Sequence, residues 1–215
     1  MKQSLMLLAM ITVALFLFAA CSDDDVSTAT TTPTGDNVTG SYAQACAPDA
    51  DDPNDGVELT LNISSGTGSW TYDLWFSDTT CSGGSDLSLA GTFTMTFVDT
   101  KDLASGETVS TMELLDTAET ATTNTDVATA AMNAAGATGN SGWGITDWVT
   151  GEAQDTLGTN FDATTYTVAS EGDIIYLDTS VSPNTLQLGI TENDGGAVDA
   201  DGYPEALETE VWEKQ

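Results

Sequence analysis

The chain has 215 residues, of which 34 are Asp or Glu against three lysines, with no arginine or histidine, and its formal net charge is −31. No cationic surface can form to neutralise phosphates, which excludes nucleic acid as a partner and a polybasic grip on anionic lipid. The missing histidine and arginine exclude Ser-His-Asp and Cys-His catalysis, imidazole-bound zinc or haem, and guanidinium clamps on anions.

In chain order, Lys2 precedes an apolar run from Leu5 to Ala20. About sixteen residues is short of the ~20 a membrane-spanning helix needs and suits a secretory signal core. The run ends in "LFAAC", with Ala19 and Ala20 directly before Cys21. This phrase resembles the lipobox of bacterial lipoproteins. The resemblance implies a signal peptide over 1–20, cleavage before Cys21, and acylation of Cys21, which becomes the membrane anchor. Two or more acyl chains hold stably, at ~0.8 kcal/mol per buried methylene. The other reading is an ordinary signal peptide with a chance cysteine. Ser22 resembles the outer-membrane sorting choice, and "SDDD" (22–25) resembles signals for export to the cell surface. Residues 21–39, rich in Thr, Ser, Asp and Gly, bury too little to offset their ordering entropy and read as a flexible tether.

The remaining stretch, 40–215, is long enough for one domain with a real core. In it lie Cys46 and Cys81. An even pair in an exported domain reads as one disulfide, the alternative being two reduced, buried thiols.

Period-two alternation then dominates. Val57, Leu59, Leu61 and Ile63 share one face, as do Trp70, Tyr72, Leu74 and Phe76. Trp75 interrupts the polar face of that second run and reads as a rim or edge residue. Leu87, Leu89, Gly91, Phe93, Met95 and Phe97 alternate with Thr92, Thr94 and Thr96, and 107–115 continues the series. Such patterning predicts strands with one buried face. Residues 117–142 are rich in Ala, Thr and Gly and read as an insertion, with a short helix over 126–135 as one option. Strands are predicted again at 143–151, 164–170, 173–179, 184–190 and 207–213. The fold expected is all-β: an antiparallel, up-and-down barrel of about eight to nine strands with little helix.

"GSYAQACAPDADDPNDGVELTLNI", "WTYDLWFSDTTCSGG" and "LAGTFTMTF" together carry a further likeness. Through Gly40, Tyr42, Cys46, Phe76, Asp78, Cys81, Gly91 and Phe93, the chain resembles bacterial lipocalin-like envelope lipoproteins. It is also similar to the module of the animal protein adenomatosis polyposis coli down-regulated 1. The resemblance implies a lipocalin-like barrel with Cys46 and Cys81 bridged, and apolar ligands as the broad class of cargo. It supplies no catalytic residues. Tyr203 stands where the bacterial group has arginine, and Tyr42 where lipocalin-like openings have tryptophan.

Two sites follow as candidates. Trp70, Tyr72, Phe76, Phe93 and Phe97 are candidate lining for an apolar ligand, or ordinary core; Trp75, Trp143, Trp148 and Trp212 share that ambiguity. Acidic stretches at 49–58 and 192–208 raise Ca2+ as a candidate cofactor, with Asp194, Asp199, Asp201 and Glu208 as ligands, against solvated turns as the plain alternative. Neither stretch fits an EF-hand loop. The leading functional expectation is a non-catalytic, membrane-anchored envelope lipoprotein of the outer membrane, displaying a barrel that binds an apolar small molecule or lipid. The rivals are a surface interaction module with a filled core and a carboxylate-based glycan hydrolase.

Overall fold

The computed structural model describes residues 33–34, 37–49, 52–139, 141–190, 196–209 and 211–215. The signal peptide, Cys21, most of the tether and Asp194 lie outside the described residues.

Nine strands form one antiparallel sheet: β1 (Gly40–Pro48), β2 (Gly56–Ser64), β3 (Thr67–Trp75), β4 (Leu87–Asp102), β5 (Thr108–Thr123), β6 (Ala153–Asp155), β7 (Glu171–Asp178), β8 (Thr185–Leu188) and β9 (Trp212–Lys214). Eight close an up-and-down barrel, running β1 to β5, then β7, β8 and β9, which returns to pair with β1; β6 adds to the far part of β5. Closure removes the open edges that an exposed sheet must otherwise protect. One helix, α1 (Asp126–Gly136), follows β5. Its start is set by Thr125, whose hydroxyl accepts the Ala128 N–H at 3.2 Å.

The interior follows the alternation. Val57, Leu59, Leu61, Ile63, Tyr72, Leu87, Leu89, Phe93 and Met95 are buried together with Tyr42, Met112, Ile175, Leu177, Leu186 and Trp212. Cys46 and Cys81 form a disulfide with Cα atoms 6.0 Å apart. It fastens the end of β1 to the connection between β3 and β4.

Several elements depart from the sequence reading. β1 has no apolar alternation to announce it; Tyr42 is its one fully buried residue, with its hydroxyl donating to the Val38 carbonyl at 2.9 Å. β5 runs on to Thr123, into the stretch read as an insertion. There Ala121 and Thr123 sit opposite Leu89 and Leu87, whose bulk fills the space a larger partner would need. Residues 143–151 are not a strand. Gly142–Gly144 makes a short 3-10 turn in which Trp143 has φ +55°. Asn133 of α1 then takes the place of a neighbouring strand, accepting the Trp148 N–H at 2.8 Å and donating to its carbonyl at 3.1 Å. Residues 164–170 are irregular apart from a single bridge between Thr159 and Thr165. At the C-terminus the strand is Trp212–Lys214, preceded by a lone bridge from Leu207 to Gly189. Trp75, the last residue of β3, is buried at that strand's end.

Candidate functional site: a cavity with aromatic rings and carboxylates

Two rows of side chains cross the inner wall of the barrel. In the first, Ile63 of β2, Gly68 of β3, Phe93 of β4 and Asp116 of β5 lie opposite one another in register. In the second, the order is Leu61, Trp70, Gly91 and Glu119. Each row therefore holds one aromatic ring, one glycine beside it and one carboxylate at its end. The glycines are spatially required. A Cβ on Gly68 would lie 2.1 Å from Phe93 Cζ, and one on Gly91 would lie 2.4 Å from Trp70 Cε2. Removing the side chain at one strand lets the neighbour's ring lie over its backbone.

A bulge in β5 between Asp116 and Ala118 keeps both carboxylates on the inner face, although they are an odd number of residues apart. Beside these rows is a partly enclosed cavity of about 80 Å³. That is well above the ~10–15 Å³ that one water requires. Leu61, Ile63, Trp70, Phe93, Met112 and Trp212 contribute apolar surface to it. The irregular segment 166–169 supplies part of the wall. Trp212 is fully buried, and its indole N–H meets no acceptor.

The polar part of the lining comprises three carboxylates, Asp116, Glu171 and Asp173, with Tyr166 and Thr167. Burial, with the Glu171 charge adding to it, pushes Asp116 up to about 6. Glu119 is 5% exposed and is pushed up to about 7, chiefly by burial. The Thr156 hydroxyl, donating to Oε1 at 3.0 Å, opposes that rise, while the charges of Asp116 and Asp155 reinforce it. Oε2 of Glu119 has no hydrogen-bond partner. Asp173 is 2% exposed and accepts the N–H groups of Ile174 and Gly189 at 2.7 and 3.1 Å.

Of the five aromatic residues proposed from sequence, Trp70 and Phe93 line the cavity. Tyr72 packs in the core beyond it, its hydroxyl donating to Asp49 Oδ2 at 2.6 Å. Phe76 and Phe97 are half-buried against the core without reaching the cavity. Trp143 and Trp148 pack with each other and with Phe161 instead, at ring separations of 5.9 and 5.0 Å from Trp143.

The proposed calcium ligands are dispersed in their duties. Asp199 holds Lys101 at 2.6 Å and accepts the N–H groups of Asp201 and Tyr203, each at 3.0 Å. Asp201 is exposed, and Glu208 continues the chain beside β8, its N–H donating to the Leu188 carbonyl. Among the described residues no three acidic, cysteine or histidine side chains are grouped to hold a metal ion.

The sequence reading missed Asp116 and Glu119. A signal was present: Met112, Leu114 and Asp116 continue one period-two series, so an acid falls on a core position. No protein-family model matches the chain, and no curated protein matches it either.

Proposed function

We propose that this chain is a bacterial envelope lipoprotein, tethered through acylated Cys21, whose barrel binds an apolar small molecule without chemical turnover. The observation that carries the binding reading is the cavity between Trp70, Phe93, Met112 and Trp212. A partly enclosed, mostly apolar hollow with a few convergent polar groups is the usual form of a small-molecule site. The anchor rests on the "LFAAC" phrase before the acidic, Thr-rich stretch. A rival interaction module would present a contiguous apolar surface. Among the described residues, exposed large apolar side chains such as Val98, Val127 and Val181 come from separate segments.

Native mass spectrometry of protein taken from its own cells tests the binding reading. A retained, non-covalent mass released by denaturant supports it. Protein that carries no such mass, and takes up none when incubated with a medium-chain alcohol, overturns it. Fatty-acid labelling tests the anchor: label should be lost in Cys21→Ala, and label that persists in that variant removes the claim.

A further inference from the structure

We infer that the segment 156–170 is a movable strap across the cavity, and that Glu119, while uncharged, is the latch that holds it down. The inference rests on the apolar-ligand reading above and adds the route by which the ligand enters.

On the side of β5 away from β4, the sheet is interrupted. β7 pairs with β5 as far as Leu114–Glu171, and β6 pairs with it from Thr120–Asp155 onward. Among the described residues, Leu115 to Glu119 face no strand on that side. Residues 166–169 of the strap line the cavity at this interruption, together with Leu114 and Asp116. The strap is folded on itself. The Asn160 N–H donates to the Thr164 carbonyl at 2.8 Å, the Tyr166 N–H donates to the Gly158 carbonyl at 3.0 Å, and Thr159 bridges Thr165. Thr167, Ala169 and Ser170 are exposed. A loop closed by its own bonds can lift as a unit while the barrel stays paired.

Its root is the polar contact with β5. Thr156, 1% exposed, donates its N–H to the Glu119 carbonyl and its hydroxyl to Glu119 Oε1, both at 3.0 Å. Before it, β6 holds to β5 through three residue pairs. Glu119 is itself buried, and its Oε2 has no partner. A neutral carboxyl tolerates that position; a charged one does not. The groups facing it offer no counter-charge. They are Asp116 on β5, which has Glu171 beside it, Asp155 on β6, the Thr156 hydroxyl, and Gly91 opposite on β4. Both lysines of the described chain are engaged elsewhere, Lys101 with Asp199 and Lys214 with the Thr39 carbonyl. Lifting Thr156 and β6 admits water to the Glu119 carboxylate and relieves its charge. Burial holds this group up at about 7, so the strap is latched below that pH and released above it.

The test is hydrogen exchange of the ligand-free full chain at pH 6 and pH 8, with each amide corrected for its intrinsic rate. A carboxyl at about 7 when latched and at its ordinary 4.5 when released makes opening about tenfold more favourable at the higher pH. Protection over 153–160 should fall by about that factor, while β2 to β4 keep theirs. In Glu119→Gln, which is neutral at both pH values, protection should stay constant. The rate of decanol uptake, followed by tryptophan emission, should rise with pH in the native protein and not in the variant. Protection that is unchanged between the two pH values, or that falls as far in Glu119→Gln, overturns the latch and leaves the apolar-ligand reading intact. An uptake rate that ignores pH while protection falls overturns the strap as the way in. If decanol enters at neither pH, the apolar-ligand reading fails, and the loss of protection alone upholds the movable strap.

Discussion

From Gly40 to Thr123 the chain is mostly strand, and its neighbours in space are its neighbours in sequence. β2 pairs with β3 from Gly56–Trp75 to Ser64–Thr67, and β4 and β5 run beside one another for nearly all their length. Among the described residues from 124 onward, helix, turn and irregular segment prevail, and only β7 exceeds four residues of strand. β8 joins β9 through Thr185–Glu213 and Leu186–Trp212, and β9 joins β1 through Tyr42–Lys214 and Ala43–Glu213. The first half can align by local hairpins. The second must close the barrel over a long sequence separation, where the entropy of closure weighs against few paired residues. Large buried side chains at the seam compensate: Tyr42 and Trp212 are both fully buried.

The contrast is broken most sharply at the seam. Trp212→Ala is expected to cost about 3–5 kcal/mol, measured by urea unfolding, with faster amide exchange in β8, β9 and β1 than in β2 to β4. A loss below about 1 kcal/mol would mean that closure does not depend on this ring. Next is the disulfide of the first half. Replacing Cys46 and Cys81 together by serine should cost about 2–4 kcal/mol, a stability loss that reduction of the native protein should reproduce.

The inner carboxylates give the third effect. Burial holds the Glu119 carboxyl up at about 7 in the folded chain, above its ordinary value of 4.5. A carboxyl whose folded value is raised holds its proton longer in the folded state. Its contribution is greatest below the unfolded value and is lost as pH rises from about 4.5 to about 7. Melting temperature should fall across that window, by an amount equivalent to on the order of 2–3 kcal/mol. Asp116, raised to about 6, acts in the same direction. Glu119→Gln should flatten much of the slope, and an unchanged slope would place the buried charge elsewhere.

Smaller effects sharpen the picture. Gly68→Ala should cost about 1–3 kcal/mol, because its Cβ would meet the Phe93 ring at 2.1 Å; a neutral result would show that the ring moves freely. Lys101→Met should cost about 0.2–1 kcal/mol, since the pair with Asp199 is partly exposed.

How far the sequence revealed this follows the same division. β2, β3 and β4 were legible because each buries one face against the barrel interior, so alternation survives in the residues themselves. Trp70 and Phe93 were legible as lining for that reason. β1 was not, because a strand whose one fully buried residue is Tyr42 leaves no pattern. The far part of β5 was not, because its inner positions are small where Leu87 and Leu89 are large. "WGITDWVTG" alternates like a strand, yet Gly142 and Gly144 turn the chain and Asn133 satisfies its backbone. Asp116 and Glu119 were hidden by composition: among 34 acidic residues, register alone marks the few that fall on the inner face.

The central claim is that an apolar molecule lies between Trp70 and Trp212, and a contact quencher tests it most directly. A dibrominated aliphatic alcohol quenches tryptophan only at close approach. Titration should dim the emission to a plateau at one equivalent, leaving the signal of Trp75, Trp143 and Trp148. In the variant carrying Trp70→Phe and Trp212→Phe, the remaining emission should not respond. Quenching that persists in that variant, or that is absent from the native protein, would contradict the account.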